Sequence, residues 1–99
     1  SGPAGRRPAV VLQHDRFNRT RVNTTIVVAI TSNLKYGTLP GTIRLRRGEG
    51  GLPRASVVNV TQIATIDRSD VESGSGRLSQ LRLAEVWDGV RLVLDPTGG

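Results

Sequence analysis

The chain has 99 residues without cysteine or methionine, which predicts one domain with a modest core and excludes disulfides and thiolate metal sites. It has no apolar segment long enough to cross a membrane and no signal sequence, so we expect a cytoplasmic protein without a membrane partner. Residues 1–56 carry ten basic and two acidic side chains (+8), mostly arginine, whose planar guanidinium suits phosphate, and this indicates a nucleic acid or an acidic protein as partner.

The longest apolar run in the chain, residues 24–33, is predicted to be a central strand, because it is rich in β-branched residues and free of glycine and proline. An earlier run, residues 9–13, has the same character and predicts a first strand, with a polar loop over residues 14–23 between the two. The central strand ends in small polar residues, so Thr31 is expected at the rim of the core. Polar residues often end strands, and this pattern alone indicates nothing more.

A turn-rich segment and a third strand are predicted next. Residues 34–41 contain two glycines and a proline, which predict turns, and residues 42–46 alternate between polar and apolar. The alternation places Arg44 and Arg46 together on the solvent face of this strand. Residues 48–53 hold three glycines and a proline, which predict a sharp connection to the next strand.

The last part of the chain predicts one more strand and one helix. Residues 57–66 are again β-branched and alternating, and residues 67–77 form a polar turn region rich in glycine and serine. Ser79 is a suitable N-cap for a helix that runs to Leu94 and must cover a sheet, so a mainly β, mostly antiparallel domain closed on one side by a C-terminal helix is expected. The predicted apolar stripe of this helix consists of Leu83, Val86, Trp87, Val90 and Leu94.

Few side chains could support catalysis by themselves. His14 is the only histidine and there is no cysteine, so a metal site is not expected. The sequence has no nucleophile-elbow motif, and the glycine-rich residues 48–51 lack the lysine and the serine or threonine of a P-loop. Phe17 and Tyr36 are the aromatic residues in predicted loops, where they could stack on a base.

Four segments carry motifs that are specific in combination. They are RRPAVVLQHDRFN at residues 6–18, VVAITSNLKYGTLPGTIRL at residues 27–45, EGGLPRASVVNVTQIATID at residues 49–67 and GRLSQLRLAEVWDGVRLVL at residues 76–94. The arginine–proline strand start, the I-T-S-N strand end and the L-P-x-x-S-V-V-N-V-x-Q segment resemble the MazF/PemK family of toxin endoribonucleases. The family's usual opening strand has no counterpart here, so residues 1–99 are expected to be a single domain that lacks this strand.

This resemblance implies an SH3-like barrel of the MazF, PemK and CcdB type with a C-terminal helix. It implies a homodimer that cuts single-stranded RNA without a metal or another cofactor and that has an acidic cognate antitoxin as its protein partner. By the family's motif, Arg7 matches the catalytic arginine and Thr31 the catalytic threonine. Further RNA-binding residues are expected at Asn18, Arg19, Ser32, Asn33, Arg44, Arg46 and Gln62.

The family's reaction uses the ribose 2′-hydroxyl as nucleophile, which requires no nucleophile from the enzyme. A fixed guanidinium can stabilise the negative charge that develops on the phosphoryl oxygens, and Arg7 is predicted to do this while the Thr31 hydroxyl holds a phosphate oxygen. Histidine is the residue type suited to proton transfer at neutral pH. The family does not require a histidine at this position, however, so His14 is expected to be a loop residue.

Two other functions are open at this point. A non-catalytic member of the same superfamily could inhibit a protein target such as DNA gyrase. A small basic RNA-binding module would explain the positive charge of the first half. The pairing of Arg7 with Thr31 favours the ribonuclease over both.

Overall fold

The computed structural model describes residues 6–12, 23–72, 76–95 and 97. Within them, no helix is long and apolar enough to cross a membrane. The strands are β1 (Ala9–Val11), β2 (Thr24–Thr31), β3 (Ile43–Leu45) and β4 (Ser56–Asp67), and the α-helix is α1 (Gln80–Leu94). Short 3₁₀ helices cover Leu34–Thr38, Glu49–Gly51 and Arg68–Asp70.

The strands form one antiparallel sheet in the order β1-β2-β4-β3, curled into a half-barrel, which confirms the predicted mainly β fold with a C-terminal helix. Alternation along the strands gives this sheet two faces. The helix face, which α1 covers, consists of Val10, Val28, Ile30, Ile43, Leu45, Val58 and Val60. The second face consists of Ala9, Val27, Ala29, Thr31, Arg44, Val57 and Asn59.

The core lies between the helix face and α1. Val28, Val58 and Val60 of the sheet are fully buried there, as is Val86 of the helix. Each such valine contributes about 1.5–3 kcal/mol relative to an exposed one. In a chain of this size, these few aliphatic contacts are the main stabilisation of the sheet against the helix.

The helix begins where the sequence predicts, but its apolar stripe is narrower. The Ser79 hydroxyl accepts a hydrogen bond from the Arg82 N–H at 3.1 Å and so caps α1. Trp87 and Leu94, predicted to be buried in the stripe, are 43% and 63% exposed. That part of the prediction is wrong: the covered side of α1 contains Val86, Gly89 and Val90, and Trp87 and Leu94 lie outside it.

A contact between two glycines sets the position of the helix. Gly89 is buried against Gly41, the residue of the turn before β3 that has a φ of 82°. A Cβ atom at residue 89 would overlap the carbonyl oxygen of Gly41. Successive helical residues are about 100° apart, so Trp87 lies about 200° around the axis from Gly89 and is turned towards solvent.

A bulge interrupts the pairing of β2 with β4. Ala29 pairs with Asn59 but the preceding Val28 pairs with Ile63, so residues 60–62 of β4 have no partner in β2. The Asn59 Oδ1 atom accepts hydrogen bonds from the Thr61 N–H at 3.1 Å and the Thr61 hydroxyl at 2.6 Å. Since bulges bend a strand and increase its twist, this irregularity accounts for part of the curl of the sheet.

The turn after β3 is tied to the helix by a carboxylate. One oxygen of Glu49 accepts the Arg46 N–H at 2.6 Å, and the two oxygens together accept the Arg82 guanidinium at 2.8 and 3.1 Å. The hydrogen bond from Arg82 and, second, that from the Arg46 backbone lower the pKa of the Glu49 carboxyl from its ordinary 4.5. The same pairing, with a further contribution from Glu85, raises the pKa of Arg82.

This pairing predicts an acid-dependent loss of stability. Because the pKa of Glu49 is lower in the folded protein than in the unfolded one, its contribution is complete above the unfolded value and is lost as the pH falls through the folded value. Glu49→Gln should therefore be less stable than the parent at neutral pH and lose less stability on acidification. Urea unfolding at a series of pH values measures both effects.

Asp88→Asn is the matched control for this experiment. It removes the same charge from an exposed pair with Arg91 on the outside of α1, at 2.7 Å. A pH dependence of stability in Glu49→Gln that equals the dependence in Asp88→Asn would contradict a specific role for Glu49.

Candidate active site

The ladder between β1 and β2 continues beyond the first residue of β1. The Ile30 N–H donates to the Pro8 carbonyl oxygen at 3.1 Å, in the register of the rest of β1. Carried one residue further, this register places Arg7 opposite Thr31. Because Pro8 and Ile30 form a hydrogen-bonded pair, the next pair along the ladder is a non-hydrogen-bonded one. In such pairs the Cα atoms are about 4.5 Å apart and the side chains are closest. Extended in this way, the register predicts that Arg7 and Thr31, the two candidate catalytic residues, are neighbours.

Arg7 and Thr31 begin a row of side chains that crosses the second face. Thr31 pairs with Val57 of β4, and Val57 pairs with Arg44 of β3. Because neighbouring strands are about 4.8 Å apart, the row spans about 14 Å from the backbone of Arg7 to that of Arg44. Thr31 is half-buried, Val57 is fully buried and both arginines are exposed. The row therefore places a hydroxyl and a buried valine between two cationic side chains.

The hydroxyl of Thr31 is fixed by the backbone that follows it. Its Oγ1 atom accepts a hydrogen bond from the Asn33 N–H at 3.1 Å, which leaves the hydroxyl proton free to be donated elsewhere. The Asn33 Oδ1 atom in turn accepts the Lys35 N–H at 3.1 Å and caps the 3₁₀ helix Leu34–Thr38. The polar residues at the end of β2 thus orient the Thr31 hydroxyl and begin the 3₁₀ helix that follows.

The cationic side chains of this row are not neutralised by the described part of the chain. Arg6 is paired with Glu72 at 2.9 Å, whereas no carboxylate among the described residues lies within ion-pair distance of Arg7, Arg44 or Arg46. Guanidinium groups without a carboxylate partner favour an anion from solution, and their planar fork fits two oxygens of a phosphate. In residues 6–12, 23–72, 76–95 and 97, no three acidic or histidine side chains gather as metal ligands.

The other predicted RNA-binding residues border this row. Ser32 and Asn33 are exposed at the end of β2, and Arg46 is exposed just beyond β3. Gln62 is exposed in the bulge of β4, one residue before Ile63, which packs against the core. The predicted residues Asn18 and Arg19, together with His14 and Phe17, lie outside the described residues.

Two residues of the site were not candidates from the sequence. Val57 was expected to be an ordinary strand residue, yet it is fully buried and lies between Thr31 and Arg44 across the sheet. Gly37 was expected to mark a turn, yet it lies directly against the Arg44 guanidinium. The alternating apolar residues of β4 predicted that both of its faces would be partly buried. The side chains that neighbour Val57 and Gly37 come from other strands, and no local pattern predicted them.

Three comparisons with known proteins, of which two are by sequence and one is by structure, identify the relatives of this chain. The model of the family described as PemK-like, MazF-like toxin of type II toxin–antitoxin systems matches residues 1–94. Endoribonuclease MazF6 of Mycobacterium tuberculosis is 42% identical over 95 residues, which are 96% of this chain and 83% of that protein. Endoribonuclease MazF of Staphylococcus saprophyticus is 29% identical over 94 residues, which are 95% of this chain and 78% of that protein.

A solved structure shares the fold. The Mycobacterium tuberculosis toxin MazF-mt6 superimposes with a TM-score of 0.79 over 90% of this chain and 86% of that chain, at 20% sequence identity. At that identity the likeness supports the architecture, and the family model supports the membership. The chain belongs to the PemK-like, MazF-like toxins of type II toxin–antitoxin systems.

Proposed function

We propose that this toxin is an endoribonuclease that cleaves single-stranded RNA without a metal cofactor. The observation that carries the proposal is the hydrogen bond from Ile30 to Pro8, whose register, carried one residue further, sets Arg7 opposite Thr31. The exposed arginines of this face have no carboxylate partner among the described residues. The activity named for the relatives, one of them 42% identical, supports it.

The RNA strand supplies the nucleophile. The 2′-oxygen attacks the adjacent phosphorus, and the bond from phosphorus to the 5′-oxygen breaks, which gives a cyclic phosphate and a free 5′-hydroxyl end. The proton of the 2′-hydroxyl passes to solvent and the departing 5′-oxygen takes up a proton. What the protein must provide is orientation of the phosphate and stabilisation of the negative charge that grows on its oxygens.

Arg7 is suited to stabilise this charge. Its guanidinium can donate two parallel N–H groups to two phosphoryl oxygens, or one of them to the departing 5′-oxygen. A guanidinium has five N–H donors and no acceptor, so Arg7 acts as a donor and not as a base. Thr31 adds a neutral donor beside it, whose orientation is limited because Asn33 occupies one of its lone pairs.

The remaining predicted RNA-binding residues are proposed to bind the nucleotides that flank the cleaved phosphate. Arg44 and Arg46 contact neighbouring phosphates, which gives affinity without sequence preference. The Gln62 amide can both donate to and accept from a base edge, so it is suited to sequence preference. Ser32, Asn33, Asn18 and Arg19 are proposed to complete the RNA contacts.

We also propose that the protein is a single cytoplasmic domain, that it forms a homodimer and that an acidic segment of its antitoxin occupies the same face. The dimer is tested by sedimentation of the purified protein, where a mass of one chain, 10.6 kDa, would argue against it.

The antitoxin segment is inferred from the positive charge of this face, since complementary charge steers association and selects partners.

Substitution of the paired residues tests the proposed activity. Arg7→Ala should lower the cleavage rate about 10²–10³-fold with little change in the fold, because it removes a charge-assisted contact that strengthens in the transition state. Arg7→Lys should not restore the rate, since a point charge lacks the planar fork. Thr31→Ala should lower the rate less, because a neutral hydroxyl contributes less than a charged donor.

The readout is single-turnover cleavage of labelled RNA in EDTA, with the cut ends mapped chemically. Cyclic phosphate and 5′-hydroxyl ends are expected. If nuclease-free Arg7→Ala protein cut RNA at the parental rate, the site assignment would be wrong and a non-catalytic function would replace it.

Binding of the antitoxin should depend on salt. An acidic segment that pairs with the exposed arginines loses Coulomb attraction as ions screen the charges, so its affinity should fall as the salt concentration rises. Calorimetric titration at low and high ionic strength measures this effect, and an unchanged affinity would exclude charge pairing as the basis of neutralisation.

A further inference from the structure

We propose that Gly37 is a positioning residue for RNA binding, because the space left by its missing side chain seats the guanidinium of Arg44. This inference rests on the proposed function, in which Arg44 contacts an RNA phosphate. It adds a residue from outside the sheet to the row formed by Arg7, Thr31, Val57 and Arg44.

The contact is specific to the head of the arginine side chain. A Cβ atom built at Gly37 would lie 2.6 Å from the Nε atom of Arg44, 3.2 Å from one terminal nitrogen and 3.3 Å from Cζ. No real Cβ contact is as short as the first of these, so any side chain at residue 37 would force the guanidinium to move.

The backbone gives no other reason for a glycine at this position. Gly37 is not among the glycines with positive φ, which are Gly41, Gly48, Gly50, Gly51 and Gly76. Its 3₁₀ helix therefore accepts an L-residue without strain at this point. The near neighbour of the missing Cβ is the flexible end of a side chain and not a backbone atom, so an alanine would displace Arg44 at little cost to the fold.

The location of this contact explains why it matters for RNA. The 3₁₀ helix Leu34–Thr38 begins at the Asn33 cap, two residues after Thr31, and lies against both β3 and β4. Arg44 pairs with Val57, which pairs with Thr31. Seating the guanidinium on this helix therefore fixes a second cation at a set distance from the proposed cleavage point, and it does so without a carboxylate that would compete with phosphate.

A double-mutant cycle tests the proposal through binding rather than cleavage. The probe is a short random-sequence single-stranded RNA with 2′-O-methyl riboses, which lacks the nucleophile and stays uncut. Gly37→Ala and Arg44→Ala should each weaken binding about three- to tenfold and reduce the salt slope by up to about 0.7, the value for one phosphate contact. The double variant should bind no more weakly than Arg44→Ala alone, because no guanidinium remains to be displaced.

Arg46→Ala is the matched control, since it removes an exposed arginine two positions away, whereas the three atoms nearest to a Cβ at Gly37 all belong to Arg44. Its effect should add to that of Gly37→Ala. On cleavable RNA, Gly37→Ala should raise KM and leave kcat nearly unchanged, and its thermal unfolding should resemble that of the parent.

Each outcome of the cycle decides the question. If Arg44→Ala weakens binding but Gly37→Ala does not, the seat has no function and the proposal is overturned, while the proposed ribonuclease activity stands. If Arg44→Ala itself leaves affinity and salt slope unchanged, Arg44 contacts no phosphate and the proposal also fails. Additive losses from Gly37→Ala and Arg44→Ala would show independent effects and would contradict it as well.

Discussion

The burial of Val10 and Leu12 in the core, on the helix face of the sheet, determines where the candidate site lies. Side chains alternate along a strand, so a slip of one residue would exchange the two faces of β1. With both aliphatic side chains in the core, Arg7 falls on the second face together with Thr31. Burying two such side chains is worth about 1.5–3 kcal/mol each, which is enough to hold an exposed arginine in one register. Apolar packing on the helix face thus determines which polar side chains of β1 and β2 lie together on the second face.

The second consequence of this arrangement is electrostatic. Carboxylates near the basic half are engaged away from the row: Glu49 by Arg82 and the Arg46 backbone, and Glu72 by Arg6. Arg7 has no carboxylate partner in the described ranges. Both proposed partners, RNA and an acidic antitoxin segment, carry negative charge. Competition between them for one face would explain how the antitoxin inhibits the toxin.

Local patterns in the sequence predicted the elements well and their mutual arrangement poorly. The β-branched runs identified the strands, the capping serine identified the helix, and the family's motif singled out Arg7 and Thr31. The exposure of Trp87 was missed, since it follows from the approach of Gly89 to Gly41, two positions far apart in the chain.

The bulge in β4 and the seat of Arg44 were missed for the same reason. At the bulge, the side chain of Asn59 folds back and hydrogen-bonds to Thr61 of its own strand. The β-branched composition of this segment does not predict such a contact. Gly37 reads as a turn residue in sequence, while its contact with Arg44 exists only because β3 and the 3₁₀ helix pack together. Contacts between distant segments set these features, and a single sequence does not record such contacts.

The pairing of Arg7 with Thr31 can be measured directly, because the chain has no cysteine of its own. Cysteines at a non-hydrogen-bonded pair of antiparallel strands have Cα atoms about 4.5 Å apart, within the range that a disulfide requires. The protein with Arg7→Cys and Thr31→Cys should therefore form an intramolecular disulfide on mild oxidation, detected by mass spectrometry after digestion. Arg7→Cys with Ala29→Cys, a diagonal pair about 7–8 Å apart, should not. Efficient cross-linking of residue 7 to residue 29 but not to residue 31 would mean a different register and would contradict the account.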